Sequence, residues 1–185
     1  MASLAKRAKT AELAKKSSGG IKRARQQDRG PLTEYLAFCL GGDVYATPVS
    51  LVREILKPPP LTPLPRAPNA TMGIISVRGQ LVTVIDLRKR LRLTEGPMTR
   101  KTRILLIDAT GGETLGVYVD EVLQVVRLAE AEIEHAATAL GGEIAGYIAG
   151  IARPAASAAP ARSIAGSASD AALLILLDLK SVLAN

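Results

Sequence analysis

The sequence predicts a mainly β protein with short helices, made of two copies of one β unit and preceded by a disordered basic tail. Three observations carry that prediction. Apolar residues alternate along short runs that stop at glycine pairs. The pattern recurs along the chain at an offset of 70 to 73 residues that widens to 92 past an insertion. Residues 1–30 hold nine Lys or Arg against Glu12 and Asp28, which equals the +7 of the whole 185-residue chain.

In chain order, the tail (1–30) comes first. "ASLAKRAKTAELAKK" contains good helix formers but no apolar stripe wide enough to pack, and "SSGG" follows it. The tail is expected to be disordered. It is either a solubilising arm or an electrostatic contact for nucleic acid or an anionic membrane. "EYLAFCL" then alternates, with Leu36, Phe38 and Leu40 on one face, up to Gly41-Gly42-Asp43. "KPPPLTPLPRAP" has six prolines in twelve residues, which denies it sheet hydrogen bonds and makes it a stiff, extended connection. "GIISVRGQLVTVID" is a hairpin turning at Arg78-Gly79-Gln80, with Gly79 supplying the positive φ of a tight turn. That leaves Arg78 pointing outward, as a turn residue or as a contact.

The second half (95–185) repeats the first (31–94). Gly41-Gly42-Asp43 recurs as Gly111-Gly112-Glu113, and Val49, Val52 and Ile55 recur as Val119, Val122 and Val125. Each copy reads as strand, glycine turn, strand and a bend with valines spaced by three. Val52 and Ile55 are expected to face inward and Glu54 outward. "LVTVIDLRKRL" resembles "LLILLDLKSVL", so each copy ends in a short helix. Asp86 and Asp178 are placed to cap those helices through their carboxylates, a structural role preferred to a catalytic one. The second copy carries an Ala/Pro/Ser insertion (153–171) that cannot pack and is expected to be a flexible loop.

No catalytic group and no cofactor are expected. One His and one Cys rule out the usual multi-ligand zinc set, and no Ser/His/acid arrangement has a supporting motif. Cys39, in an apolar strand, reads as a core thiol, and His135 as a solvated side chain in a polar connection. The glycine pairs are not followed by the Lys-Ser/Thr of a phosphate loop. Single-strand nucleic-acid binding needs aromatic platforms and a basic groove. With no Trp, one Phe and a body holding 15 basic and 15 acidic side chains, only the tail suits it. No apolar run reaches membrane-spanning length, so a cytoplasmic protein is expected.

Several motifs in order then resemble one family. They are Phe38-x-Leu40-Gly41, Tyr45, "VREI" (52–55), "PLPRAP" (63–68), "GIISVRG" (73–79), "VIDLR" (84–88), "LGVYVDEV" (115–122) and "LLDL" (176–179). From Thr33 to Asn185 the chain resembles the CheW chemotaxis coupling proteins. Thr83 stands where the pattern usually has proline and Ser76 where it has asparagine; the tail and the inserted loop lie outside it. The resemblance implies two packed five-stranded β-barrels around a shared apolar core. It also implies a non-catalytic scaffold in cytoplasmic receptor arrays, joining chemoreceptor tips to the histidine kinase CheA. The first barrel would bind receptor through Val52, Glu54, Gly73 and Arg78, with Gly73 allowing close approach of the partner. The second would bind kinase around Gly116, Val117 and Val119. Two other readings stay open: an adaptor for a non-motility pathway, and a tail-driven nucleic-acid or membrane-surface protein. Arg78 and Glu54 could also form only a surface ion pair.

Overall fold

The computed structural model describes residues 30–109, 112–135, 146–154 and 173–184. The expectations for residues 1–29 and for most of the inserted loop therefore lie outside the described residues. The elements are β1 (Leu32–Leu40), β2 (Asp43–Pro48), β3 (Val52–Leu56), β4 (Thr71–Val77), β5 (Gln80–Asp86), α1 (Leu87–Arg90), β6 (Arg103–Asp108), β7 (Thr114–Val119), β8 (Glu121–Ala129), β9 (Ile133–Glu134), β10 (Ile148–Ala152), β11 (Leu174–Leu177) and α2 (Leu179–Ala184). Single 3₁₀ turns cover Val49–Leu51 and Glu130–Glu132.

The mainly β class is found, in two sheets. One has six strands in the order β8-β1-β2-β11-β10-β9, the other five in the order β3-β6-β7-β5-β4. This corrects the expected pair of closed five-stranded barrels in two respects. Among the described residues, the short β9 adds a strand to one sheet and neither strand order closes through a backbone ladder. The five-stranded sheet instead curls until side chains of its two edges meet. Leu56 of β3 and Met72 and Val77 of β4 pack on one inner cluster with Ile75, Val82, Val84, Ile104, Leu106 and Tyr118.

Strand alternation explains the cores. Along β1, Leu36, Phe38 and Leu40 face a core shared between the sheets, together with Leu105, Ile107, Val117 and Val119 of the other sheet. Ala37 and Cys39 point the other way, into the inner cluster of the six-stranded sheet. The small residues Ala37, Cys39 and Ala46 suit that interior, where a curled sheet leaves little room.

Each sheet draws on both halves of the sequence. Hairpin β1–β2 joins β8 and β11 of the second half, whereas hairpin β6–β7 joins β3 and β5 of the first. The bends with spaced valines are the crossings: Val49–Leu51 carries the chain from β2 into β3 of the other sheet, and Asp120 carries it from β7 into β8. Ile55 departs from its expected inward orientation and is 43% exposed.

Candidate partner-binding site

The β4–β5 hairpin pairs Val77 with Gln80, leaving Arg78-Gly79 as a two-residue turn. Both residues have positive φ, 50° at Arg78 and 83° at Gly79. Such turns match the twist of the flanking strands and favour Asn, Asp or Gly at the first position. Arginine there is sterically disfavoured, and its side chain is 80% exposed. The guanidinium Nη2 donates to Glu54 Oε1 at 3.1 Å, and the Glu54 side chain is only 32% exposed. One contact thus joins β3 to the β4–β5 turn, at opposite ends of the strand order. A cleft opens at this mouth of the curled sheet, with Arg53, Glu54, Arg78 and Gln80 at the rim over Val82 and Leu106.

The orientation of Glu54 comes from a β-bulge that the sequence does not announce. Val52 pairs with Ile107 but Glu54 pairs with Leu106, so Arg53 is an extra residue without a partner. A bulge resets which face the following side chains occupy. Val52 therefore packs on the shared core, while Glu54 lies opposite Leu106 on the inner face. Arg53 Nη1 donates to Asp108 Oδ1 at 3.3 Å and to Thr114 Oγ1 at 3.0 Å.

Val52, Glu54 and Arg78 are thus gathered around β3 and the hairpin tip. At Gly73 the structure shows a close approach within the protein itself. The neighbouring Ile74 bridges Thr62 of the proline-rich connection through two backbone hydrogen bonds of 2.9 Å. A Cβ on Gly73 would collide with the Thr62 carbonyl oxygen. The close approach is made by the protein's own chain, which covers that edge of β4.

Gly116, Val117 and Val119 require a correction. They lie on β7, an interior strand hydrogen-bonded to β6 on one side and β5 on the other. Val117 and Val119 are fully buried, and a Cβ on Gly116 would press against Ile104 and Val84. Their apolar alternation serves the core, so none can present a side chain or a strand edge to a kinase.

Both aspartates sit at helix starts. Asp86 Oδ1 accepts the Arg88 amide at 2.9 Å and the Lys89 amide at 3.4 Å. Asp178 Oδ1 accepts the amides of Lys180 and Ser181 at 3.1 and 3.3 Å, and Oδ2 accepts Ser181 Oγ at 2.6 Å. The Ser181 hydroxyl, helped by those amides, holds the Asp178 carboxyl below its ordinary value. The exposed His135 has Nε2 2.7 Å from Glu130 Oε1, and that hydrogen bond raises its pKa. Cys39 is buried, and burial, more than any neighbouring charge, pushes up the Tyr45 and Tyr118 hydroxyls. No described group of three or more His, Cys, Asp or Glu side chains is arranged to hold a metal ion.

A second polar group was not read from the sequence. Arg88 of α1 is 8% exposed, and its Nη2 lies 2.5 Å from Asp120 Oδ1. Asp120 Oδ2 also accepts the Gly41 amide at 2.8 Å. This group ties α1, the β7–β8 crossing and the β1–β2 turn together, a structural joint between the sheets.

A known protein shares this fold. A solved structure of the scaffolding protein TtCheW from Thermoanaerobacter tengcongensis superposes with a TM-score of 0.68, covering 82% of this chain and 92% of that one. At 24% identity it establishes the fold. Chemotaxis protein CheW of Bacillus subtilis is 40% identical over 101 residues, covering 55% of this chain and 64% of that protein. Protein FrzA of Myxococcus xanthus is 35% identical over 111 residues (60% and 69%), and chemotaxis protein CheW of Helicobacter pylori 28% over 123 (66% and 72%). The sequence profile of the CheW-like domain matches residues 34–185, which takes in both sheets, the bulged β3 and the Arg78 turn. The chain therefore belongs to the CheW-like domain family.

Proposed function

We propose that this protein is a non-catalytic adaptor that couples chemoreceptors to the histidine kinase CheA, and that it works in the cytoplasm at receptor arrays. The receptor tip binds at the mouth of the five-stranded sheet, against Arg78, Glu54 and the neighbouring part of β3 around Val52. One observation carries this assignment: an arginine held at positive φ on a hairpin tip, exposed, beside a half-buried glutamate. A residue kept in a disfavoured conformation at an exposed tip points to a functional constraint. Gly73 supports the face from behind through Thr62, and the kinase contact falls outside β7.

The test measures binding of the full chain to a helical fragment of a chemoreceptor's cytoplasmic tip and, separately, to the kinase regulatory domain. Arg78→Glu should weaken receptor binding by about thirtyfold or more, as removing one partner of a charge pair buried in an interface typically costs about 2 kcal/mol or above. Kinase binding should hold. Equal receptor affinity for the variant and the wild type would reduce Arg78 to a turn residue with an intramolecular ion pair. The basic tail supports a second, separate contact with an anionic partner, because residues 1–30 carry as much net charge as the whole chain. Deleting them should leave receptor and kinase binding intact and abolish any salt-sensitive binding to anionic vesicles or nucleic acid.

A further inference from the structure

We propose that Arg53 is a second anion-binding side chain of the hairpin-mouth cleft, so that a carboxylate on the helical partner is held between Arg53 and Arg78. This deepens the receptor-face reading and rests on it. Consecutive residues of a regular strand point to opposite faces, yet Arg53 and Glu54 both line the cleft. The bulge makes this possible by inserting Arg53 as an unpaired residue between Val52 and Glu54. Bulges are over-represented where a side chain must be re-aimed beside a functional site.

The chemistry of the cleft is specific about its ligand. Its lining carries two guanidinium groups, Arg53 and Arg78, and one carboxylate, Glu54. A guanidinium offers five donors in a planar fork. Arg78 spends one nitrogen on Glu54, and Arg53 spends Nη1 on Asp108 and Thr114. These intramolecular contacts orient each fork and leave further donors for an incoming acceptor. The side chains of Arg53 and Asp108 are 58% and 59% exposed, so an incoming acid can compete with Asp108 for Arg53. A carboxylate accepts two such forks at once, which an uncharged carbonyl does less well.

The experiment uses the full chain and the chemoreceptor-tip fragment, with Arg53→Ala, Asp108→Asn, Arg78→Glu and, as a control on general charge, Arg127→Ala. Arg127 is exposed and pairs with Glu34 on the other sheet. Arg53→Ala should weaken binding about three- to tenfold without lowering the melting temperature of the free protein. Asp108→Asn should tighten binding, because it removes the competing carboxylate while keeping the side-chain shape. Arg127→Ala should bind as the wild type does. The proposal requires all three outcomes. If Arg53→Ala binds normally while Arg78→Glu does not, the second anchor is overturned and the receptor face stands. An Asp108→Asn variant that binds equally or more weakly makes the Arg53 pair structural and overturns it as well, as does equal weakening by Arg127→Ala. Failure of the wild type to bind the fragment would overturn the receptor face and this inference together.

Discussion

Gly73 shows how a single position can be functionally placed and structurally employed. Its φ is +145°, a conformation in which an L side chain is strained, and its missing Cβ leaves room for the Thr62 carbonyl. Gly73→Ala should therefore destabilise the protein by about 2–4 kcal/mol, combining backbone strain of about 1–3 kcal/mol with displacement of the proline-rich connection. Urea unfolding would measure this. Unchanged stability with lost receptor binding would restore the direct-contact role. In the sequence, a glycine here allows a close approach but does not say of which chain. Thr62 is eleven residues away across a connection rich in proline, and its bridge to Ile74 is a tertiary pairing without a local signature. Arg78 is the opposite case. Its turn is legible because a tight hairpin loop demands positive φ, although Gln80, expected within the turn, pairs with Val77 as the first residue of β5.

At the scale of elements, periodic signals were readable and phase changes were not. The faces of β1 follow from simple alternation, and the helix starts follow from an aspartate preceding Leu-Arg or Leu-Lys. The bulge in β3 leaves no mark, since "VREI" reads as an ordinary strand; it sets Ile55 opposite Leu105 on the face of Val52, where Ile55 is nonetheless 43% exposed. β7 misleads for a related reason: alternating small and apolar residues look alike at an interior strand and at a docking edge. The terminal helix provides a test of local energetics. Asp178 caps α2, and replacing an N-cap aspartate by alanine costs about 1 kcal/mol. Its carboxyl is held below the ordinary 3.8 chiefly by Ser181. A lowered folded pKa means that the contribution is fully present above the unfolded value and is lost as pH falls through the folded one. Asp178→Ala should thus be less stable than wild type by about 1 kcal/mol near neutrality, and the gap should narrow below pH 3.8. Chemical unfolding at several pH values would check this. A constant gap down to the lowest pH would show that the cap does not act through its charge.

For the molecule as a whole, the consequential feature is the exchange of hairpins between halves. The duplication is visible in sequence because the glycine turns and the spaced valines recur at one offset. The exchange is invisible, because β1–β2 would satisfy the same pattern beside β3 or beside β8. The observed pairing makes each sheet incomplete without the other half, so the two sheets should unfold as one unit. Arg88 and Asp120 sit where this matters, joining α1 to the β7–β8 crossing and to the Gly41 turn. Their side chains are 10% and 19% exposed, and Arg88 Nε has no hydrogen-bond partner. The pair is therefore a poor source of net stability but costly to break on one side, because the remaining cation stays buried. Asp120→Asn should cost about 3 kcal/mol or slightly more, and Arg88→Met combined with Asp120→Asn should cost less than Asp120→Asn alone. Amide hydrogen exchange of Asp120→Asn should lose protection in β1–β2 and β6–β7 together, because the joint holds both sheets. Loss confined to one sheet would mean that the halves are independent despite their shared core. A double variant less stable than Asp120→Asn would mean that the Arg88 charge is solvated by something other than Asp120.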